Sequence, residues 1–116
     1  MTVGGIAENI GDNKEFAVAS ASEIDVYFNS SNTSANDTAT TKYVDNNVLI
    51  KQLQIRTDQA IQIVGYNGID FTDPISIVAN ASLIEKFDTP TVFRITIRTL
   101  TANTNIKIRC RGRVTS

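Results

Sequence analysis

Histidine is absent from this chain, and so is tryptophan. Without an imidazole there is no side chain that titrates near neutral pH, and the commonest metal ligand is missing. Ser-His-Asp and Cys-His constellations are therefore excluded. A single cysteine, Cys110, rules out an intramolecular disulfide and a cysteine-rich zinc site. No apolar run approaches the roughly 18–20 residues that carry a helix across a bilayer. The opening stretch MTVGGIAENIGDNKE has neither the basic start nor the apolar stretch of a secretory signal, so the expectation is a chain made in the cytoplasm. Carboxylate-only chemistry remains, but nothing singles out a pair among twelve acids.

The dominant positive signal has a period of two. Phe16 and Val18 share a side in EFAVAS, and Ile24, Val26 and Phe28 do so in EIDVYFN. VLIKQLQIRT sets Leu49, Leu53 and Ile55 on one parity, and AIQIVGY and PISIVA pair Ile61 with Ile63 and Ile75 with Ile77. VFRITIRTL alternates Phe93, Ile95 and Ile97 with Arg94, Thr96 and Arg98. NIKIRCRGRV alternates Ile106, Ile108 and Cys110 with Lys107, Arg109 and Arg111. Such alternation places one face in a core and the other in water. Turn chemistry at 11–13, 57–59, 66–68, 72–74 and 101–104 separates the runs. ASLIEKFD is ambiguous and makes at most two helical turns. About eight short strands with frequent turns predict an all-β fold, an antiparallel sandwich or barrel, with an extended N-terminal arm. The arm is residues 1–14, with Val3, Ile6 and Ile10 among polar neighbours, and the sandwich domain is residues 15–116. Residues 29–47, rich in Asn, Ser and Thr, predict a long surface loop.

Charge is segregated along the chain. The formal net charge is -1, yet residues 92–116 contain no acid and carry Arg94, Arg98, Lys107, Arg109 and Arg111 on outward parities. If 92–100 and 105–114 pair as a hairpin, these five cations share one face. Acids from Glu23 or Asp25, a second subunit or a partner protein would then neutralise them. Nucleic acid is disfavoured, because the pI is near 5.3 and no aromatics interleave the cations.

Other motifs read more simply. Four glycosylation sequons, at Asn29, Asn32, Asn36 and Asn80, are what an Asn/Thr-rich chain produces by composition. Asp70 and Asp73 are spaced like oxygen ligands, but the rest of a calcium loop does not follow, so they read as turn caps. Cys110 lies on the inward parity and reads as a small buried hydrophobe. No cofactor is called for.

The small, His-free and Trp-free, Thr/Asn/Ile-rich β chain with its N-terminal arm resembles the minor structural proteins of tailed bacteriophages, in particular capsid decoration or cement proteins. The stretch from LIKQLQIRT to IKIRCRGR looks like their body, which implies a single antiparallel β-sandwich, jelly-roll-like, and MTVGGIAENIGDNKE looks like the arm. The likeness covers most of the chain in texture and strand spacing, not in an invariant motif. It implies a non-enzymatic virion protein that stabilises the shell through multivalent protein–protein contacts, commonly as a homotrimer. The implied partners are the major capsid protein or other virion proteins, met through Val3, Ile6, Ile10 and the basic strands. A tail or baseplate accessory protein, or a glycan-binding module using the 29–47 loop, shares the same texture.

Overall fold

The structure, a computed structural model, describes residues 8–45, 48–89 and 91–114, and of residues 8–13 and 113–114 the backbone alone. Among these, nine strands form two sheets: β1 (Glu8–Val18), β2 (Glu23–Tyr27), β3 (Thr41–Tyr43), β4 (Val48–Thr57), β5 (Ile61–Tyr66), β6 (Ile69–Ile77), β7 (Ala81–Lys86), β8 (Arg94–Thr99) and β9 (Thr104–Val114). One sheet has the order β1-β9-β4-β7 and the other β3-β2-β8-β5-β6. All pairs are antiparallel except β2 with β3, which is parallel. With β3 set aside as an edge addition, two four-stranded sheets remain, and most connections cross from one to the other. This is a β-sandwich of jelly-roll kind, one of the two architectures that the alternation allows and the one that the resemblance implies.

Burial explains the arrangement. Ile50, Leu53, Ile55, Ile106 and Ile108 from one sheet meet Ile24, Val26, Ile61, Ile63, Ile95 and Ile97 from the other, all at most 2% exposed. Cys110 joins this layer as a buried thiol. Each such side chain contributes about 1.5–3 kcal/mol of transfer free energy. The apolar side of every strand therefore seeks the opposite sheet.

That demand overturns the expected basic hairpin. The strands β8 and β9 are consecutive but do not pair: β8 lies between β2 and β5, and β9 between β1 and β4. The chain turns over at 100–103, so Ile95 and Ile97 look across the sandwich towards the layer that holds Ile106 and Ile108. Asn103 adopts a left-handed conformation (φ 58°) in this turn. Arg94 and Arg98 are thus separated from Lys107, Arg109 and Arg111 by the thickness of the molecule.

Other expectations shift locally. The arm was expected to run to residue 14, but from Glu8 onward the chain is β1, paired to β9, with an irregularity between Asn9 and Asp12 where a turn was expected. The main chain of Ile10 therefore lies in a strand; Val3 and Ile6 lie outside the described residues. Thr72, Asp73 and Pro74 sit inside β6 rather than before it, an edge position where a missing N–H is tolerated. ASLIEK is the strand β7.

The strand β4 also departs from simple alternation. Val48 and Ile50 are buried, then Leu53 and Ile55, so the parity flips and Leu49 is only half-buried. The register slips between Ile50 and Gln52, leaving Lys51 as the extra residue of a bulge. Gly112 lies opposite, where a Cβ would come within 2.1 Å of the Leu49 carbonyl oxygen, so this site requires glycine.

The 29–47 segment is more ordered than its composition suggests. It contains a 3-10 turn (Ser34–Asn36) and β3. Lys14, on the inward side of edge strand β1, is only 8% exposed and reaches Asp37 and the Ser34 hydroxyl. Asp37 also accepts the Tyr43 amide at 2.8 Å, and Asp45 accepts the Ser34 amide at 2.6 Å. Replacing Asp37 by Ala strands a buried ammonium, so Asp37→Ala lowers the unfolding free energy by about 2–3 kcal/mol, whereas Lys14→Met, which keeps the apolar stem, costs about 1 kcal/mol or less. Urea titrations of the two variants check this.

At the β6/β7 side, Tyr66 packs edge-on against Phe71 and Phe87 (ring centroids 4.9 and 5.3 Å). Its hydroxyl is buried with no hydrogen-bond partner among the described residues. Burial, with a smaller contribution from Glu85, pushes its pKa from 10.0 up to about 12. The folded state thus favours the neutral phenol; that stability is whole below pH 10 and is lost as pH rises towards 12. Tyr66→Phe should match or exceed the parent's stability at pH 7 and flatten this alkaline decline, measured by denaturant melts at both ends of the window.

Candidate functional site

Two outer faces are available to partners, and they differ in how far they satisfy themselves. On the β3-β2-β8-β5-β6 sheet, the rows of outward residues close on one another. Arg98 donates to Glu23 (3.2 and 2.9 Å) and to Gln62 (3.1 Å). The Thr96 hydroxyl donates to Asp25 at 2.7 Å. Arg94 donates to the Tyr27 hydroxyl at 2.9 Å and lies 5.4 Å from that ring, and Tyr27 in turn stacks on Tyr43. The bond to Tyr27 is the main reason that the Arg94 pKa is raised further. Arg94 also lies over Gly68, where a Cβ would come within 2.0 Å of its guanidinium. Arg94 and Arg98 are therefore held inside the molecule's own network, with Glu23 as the acid that the sequence suggested.

The outer face of β1-β9-β4-β7 is different. Register places Arg56 opposite Lys107, Gln54 opposite Arg109, and Gln52 between Arg111 and Lys86. Five cations from three strands thus share one face. Glu15, opposite Lys107 and 3.3 Å from it, pairs with it, with both side chains more than half exposed, and Asp58 and Asp88 stand at the two ends of the face. Such an exposed pair contributes little. Among the described residues, Arg56, Lys86 and Arg109 have no ion-pair partner. Of the expected partner-binding residues, Lys107, Arg109 and Arg111 are brought together here. Arg56 and Lys86 join them unforeseen, because only the pairing of β9 with β4, and of β4 with β7, brings them alongside.

Shallow depressions follow the seam between β4 and β9. One, of about 570 Å³, is lined by Arg56, Asp58, Asn80, Asn105 and Lys107, among others. A second of about 170 Å³ lies among Gln54, Arg56, Lys107 and Arg109. A third of about 340 Å³ includes Lys51, Gln52, Lys86 and Arg111. At the first, Asp58 accepts the Asn105 side-chain amide (2.8 Å) and main-chain N–H (2.7 Å), which together hold its carboxyl below the ordinary range. No cluster of acids or cysteine suited to a metal ion exists among the described residues, and Asp70 and Asp73 lie on the exposed edge strand β6.

Three of the four large apolar side chains exposed to solvent lie on β6, on β7 or in the turn between them: Ile69 (74%), Val78 (69%) and Ile84 (55%). The same stretch, from 69 to 85, contains Asp70, Asp73 and Glu85 and no Lys or Arg. The β6 edge and the turn after it are therefore apolar and acidic, and they adjoin the cationic face, on which Ile84 itself lies opposite Gln54.

Placing Arg56 directly across from Lys107 carries a repulsive cost. Arg56→Gln should accordingly raise the unfolding free energy by about 0.3 kcal/mol in dilute buffer. The gain should vanish in about 1 M salt, where the screening length falls to about 3 Å. Paired urea titrations at the two ionic strengths give the comparison.

No protein-family model matches the chain, and no curated protein is significantly similar to it. Among solved structures, a de novo designed double-stranded beta-helix, determined by solution NMR, aligns with 84% of this chain and 96% of its own at 15% identity and a TM-score of 0.52. At that identity the likeness concerns the fold alone, and it agrees with the two-sheet arrangement of the strands.

Proposed function

We propose that this chain is a non-enzymatic structural protein of a tailed-bacteriophage particle, a decoration or cement protein that stabilises the capsid through multivalent protein–protein contacts. The observation that carries the reading is the β6/β7 flank. Ile69 and Val78 stand exposed at the two ends of an edge strand that also presents Asp70 and Asp73. A sandwich whose interior is filled by its own side chains acts through its exterior. Exposed apolar side chains set among carboxylates suit docking on another protein, here the major capsid protein or a neighbouring copy of this chain. Repetition of a modest contact around a symmetry axis, as in a homotrimer, multiplies occupancy without requiring a tight single interface. In this reading, residues 1–7, with Val3 and Ile6, add a second tie to the shell.

Mixing the purified chain with shells of its own phage that lack it, then pelleting them, tests the proposal. The parent chain should co-sediment, and Ile69→Asp with Val78→Asp should lower occupancy about tenfold, roughly 1.4 kcal/mol per site. Both positions are exposed, so the variants keep the parent's circular dichroism. Failure of the parent chain to pellet with the shells would overturn the assignment.

A further inference from the structure

The cationic face does no work in the docking proposed above, and its chemistry points elsewhere. We propose that the seam between β4 and β9 is a binding track for an acidic polysaccharide, a chain of sugar units bearing carboxylate or sulfate groups. Alternate residues of a strand repeat at about 6.8 Å, so the rungs Arg56/Lys107, Gln54/Arg109 and Gln52/Arg111 space positive charge regularly over roughly 14 Å. The depressions of about 570, 170 and 340 Å³ lie along these rungs, the first two sharing Arg56 and Lys107. The first two depressions therefore run together and the third lies one rung further along the same face, a row that suits an extended ligand.

The neutral and acidic groups along the seam decide between polyanions. Gln52 and Gln54 alternate with the cations, and each amide both donates and accepts. Glu15 and Asp58 line the first depression together with Asn80 and Asn105. The carboxylates of Glu15 and Asp58 accept from sugar hydroxyls, whereas they repel a phosphate backbone, which offers acceptors only. The outward positions of β4, β7 and β9 carry no aromatic side chain, so bases have no stacking platform. Phe16 and Phe87, at the rims, pack towards the core. Arg56 and Arg109 pair with an acid group, Gln54 and Asn80 with hydroxyls, and Asp58, fixed by its two bonds to Asn105, presents a prearranged acceptor.

Isothermal titration in low salt with short oligogalacturonate and, separately, with a sulfated oligosaccharide provides the test; neutral dextran, poly-glutamate and single- and double-stranded oligonucleotides are the competitors. At least one acidic oligosaccharide should bind, and the pair of arms identifies the acid group. Arg56→Gln with Arg109→Gln should weaken it about tenfold, as loss of charge-assisted bonds does, and Gln54→Ala about threefold. These side chains are exposed or half-exposed, so the variants keep the parent fold, checked by circular dichroism. The proposal fails if neither acidic oligosaccharide binds. It also fails if poly-glutamate, an oligonucleotide or dextran binds as tightly, or if the Arg variants bind like the parent. None of these outcomes bears on shell attachment, which is read from pelleting.

Discussion

Every strand in this molecule has one side that must leave water, and two sheets facing each other are the means. The interleaved isoleucines and valines between the sheets fix which strands are neighbours, because the chain repeatedly has to turn over to bring the next apolar side against the last. Once that layer is set, every outward side chain falls on one of two surfaces. One is stitched by hydrogen bonds among Glu23, Asp25, Thr96 and Arg98. The other collects cations from strands that are distant in sequence. The functional contrast between the faces is thus a by-product of how the core is closed.

Departures from regular geometry make this closure possible. The bulge at Lys51 changes which residues of β4 face inward, and Gly112 accommodates the close approach of the Leu49 carbonyl. A similar slip leaves Val64 of β5 as the extra residue against β8, beside Gly65, where a Cβ would meet the Ile69 carbonyl oxygen at 2.2 Å, and on the other side residues 71–74 of β6 bulge out opposite it. Lys14 places an ammonium on the inward side of an edge strand, where it gathers Ser34 and Asp37 and so pins the connection between β2 and β4. An inward charge of this kind also discourages a foreign strand from adding to β1.

The all-β class, the inward set Ile24, Val26, Ile61, Ile63, Ile95, Ile97, Ile106, Ile108 and Cys110, and several turns were legible in the sequence because alternation is a local property. Pairing is not local. Nothing in TVFRITIRTLTANTNIKIRC says whether its two runs lie side by side or face to face; that depends on β2, β5, β1 and β4 having already taken the neighbouring places. The cationic face was therefore seen in half, with Lys107, Arg109 and Arg111 recognised and Arg56 and Lys86 missed. Asn and Thr in 29–47 signalled solvent, but the anchor that orders the segment comes from Lys14, well upstream. Bulges hide in sequence because one extra residue simply looks like an interrupted pattern, as at Leu49.

The two proposed surfaces lie on adjoining sides, so in this proposal a copy seated by its β6/β7 flank leaves the β4–β9 seam free to meet the surroundings. Pro74 then limits how that seating occurs. Midway along a nine-residue border strand, it lacks an amide proton, so an incoming segment cannot zip continuously onto the margin through main-chain pairing. Attachment on that side is left to the tips of Ile69, Val78 and their acidic neighbours. Copies docked as proposed would thus sit shoulder to shoulder without fusing into a shared, growing ribbon.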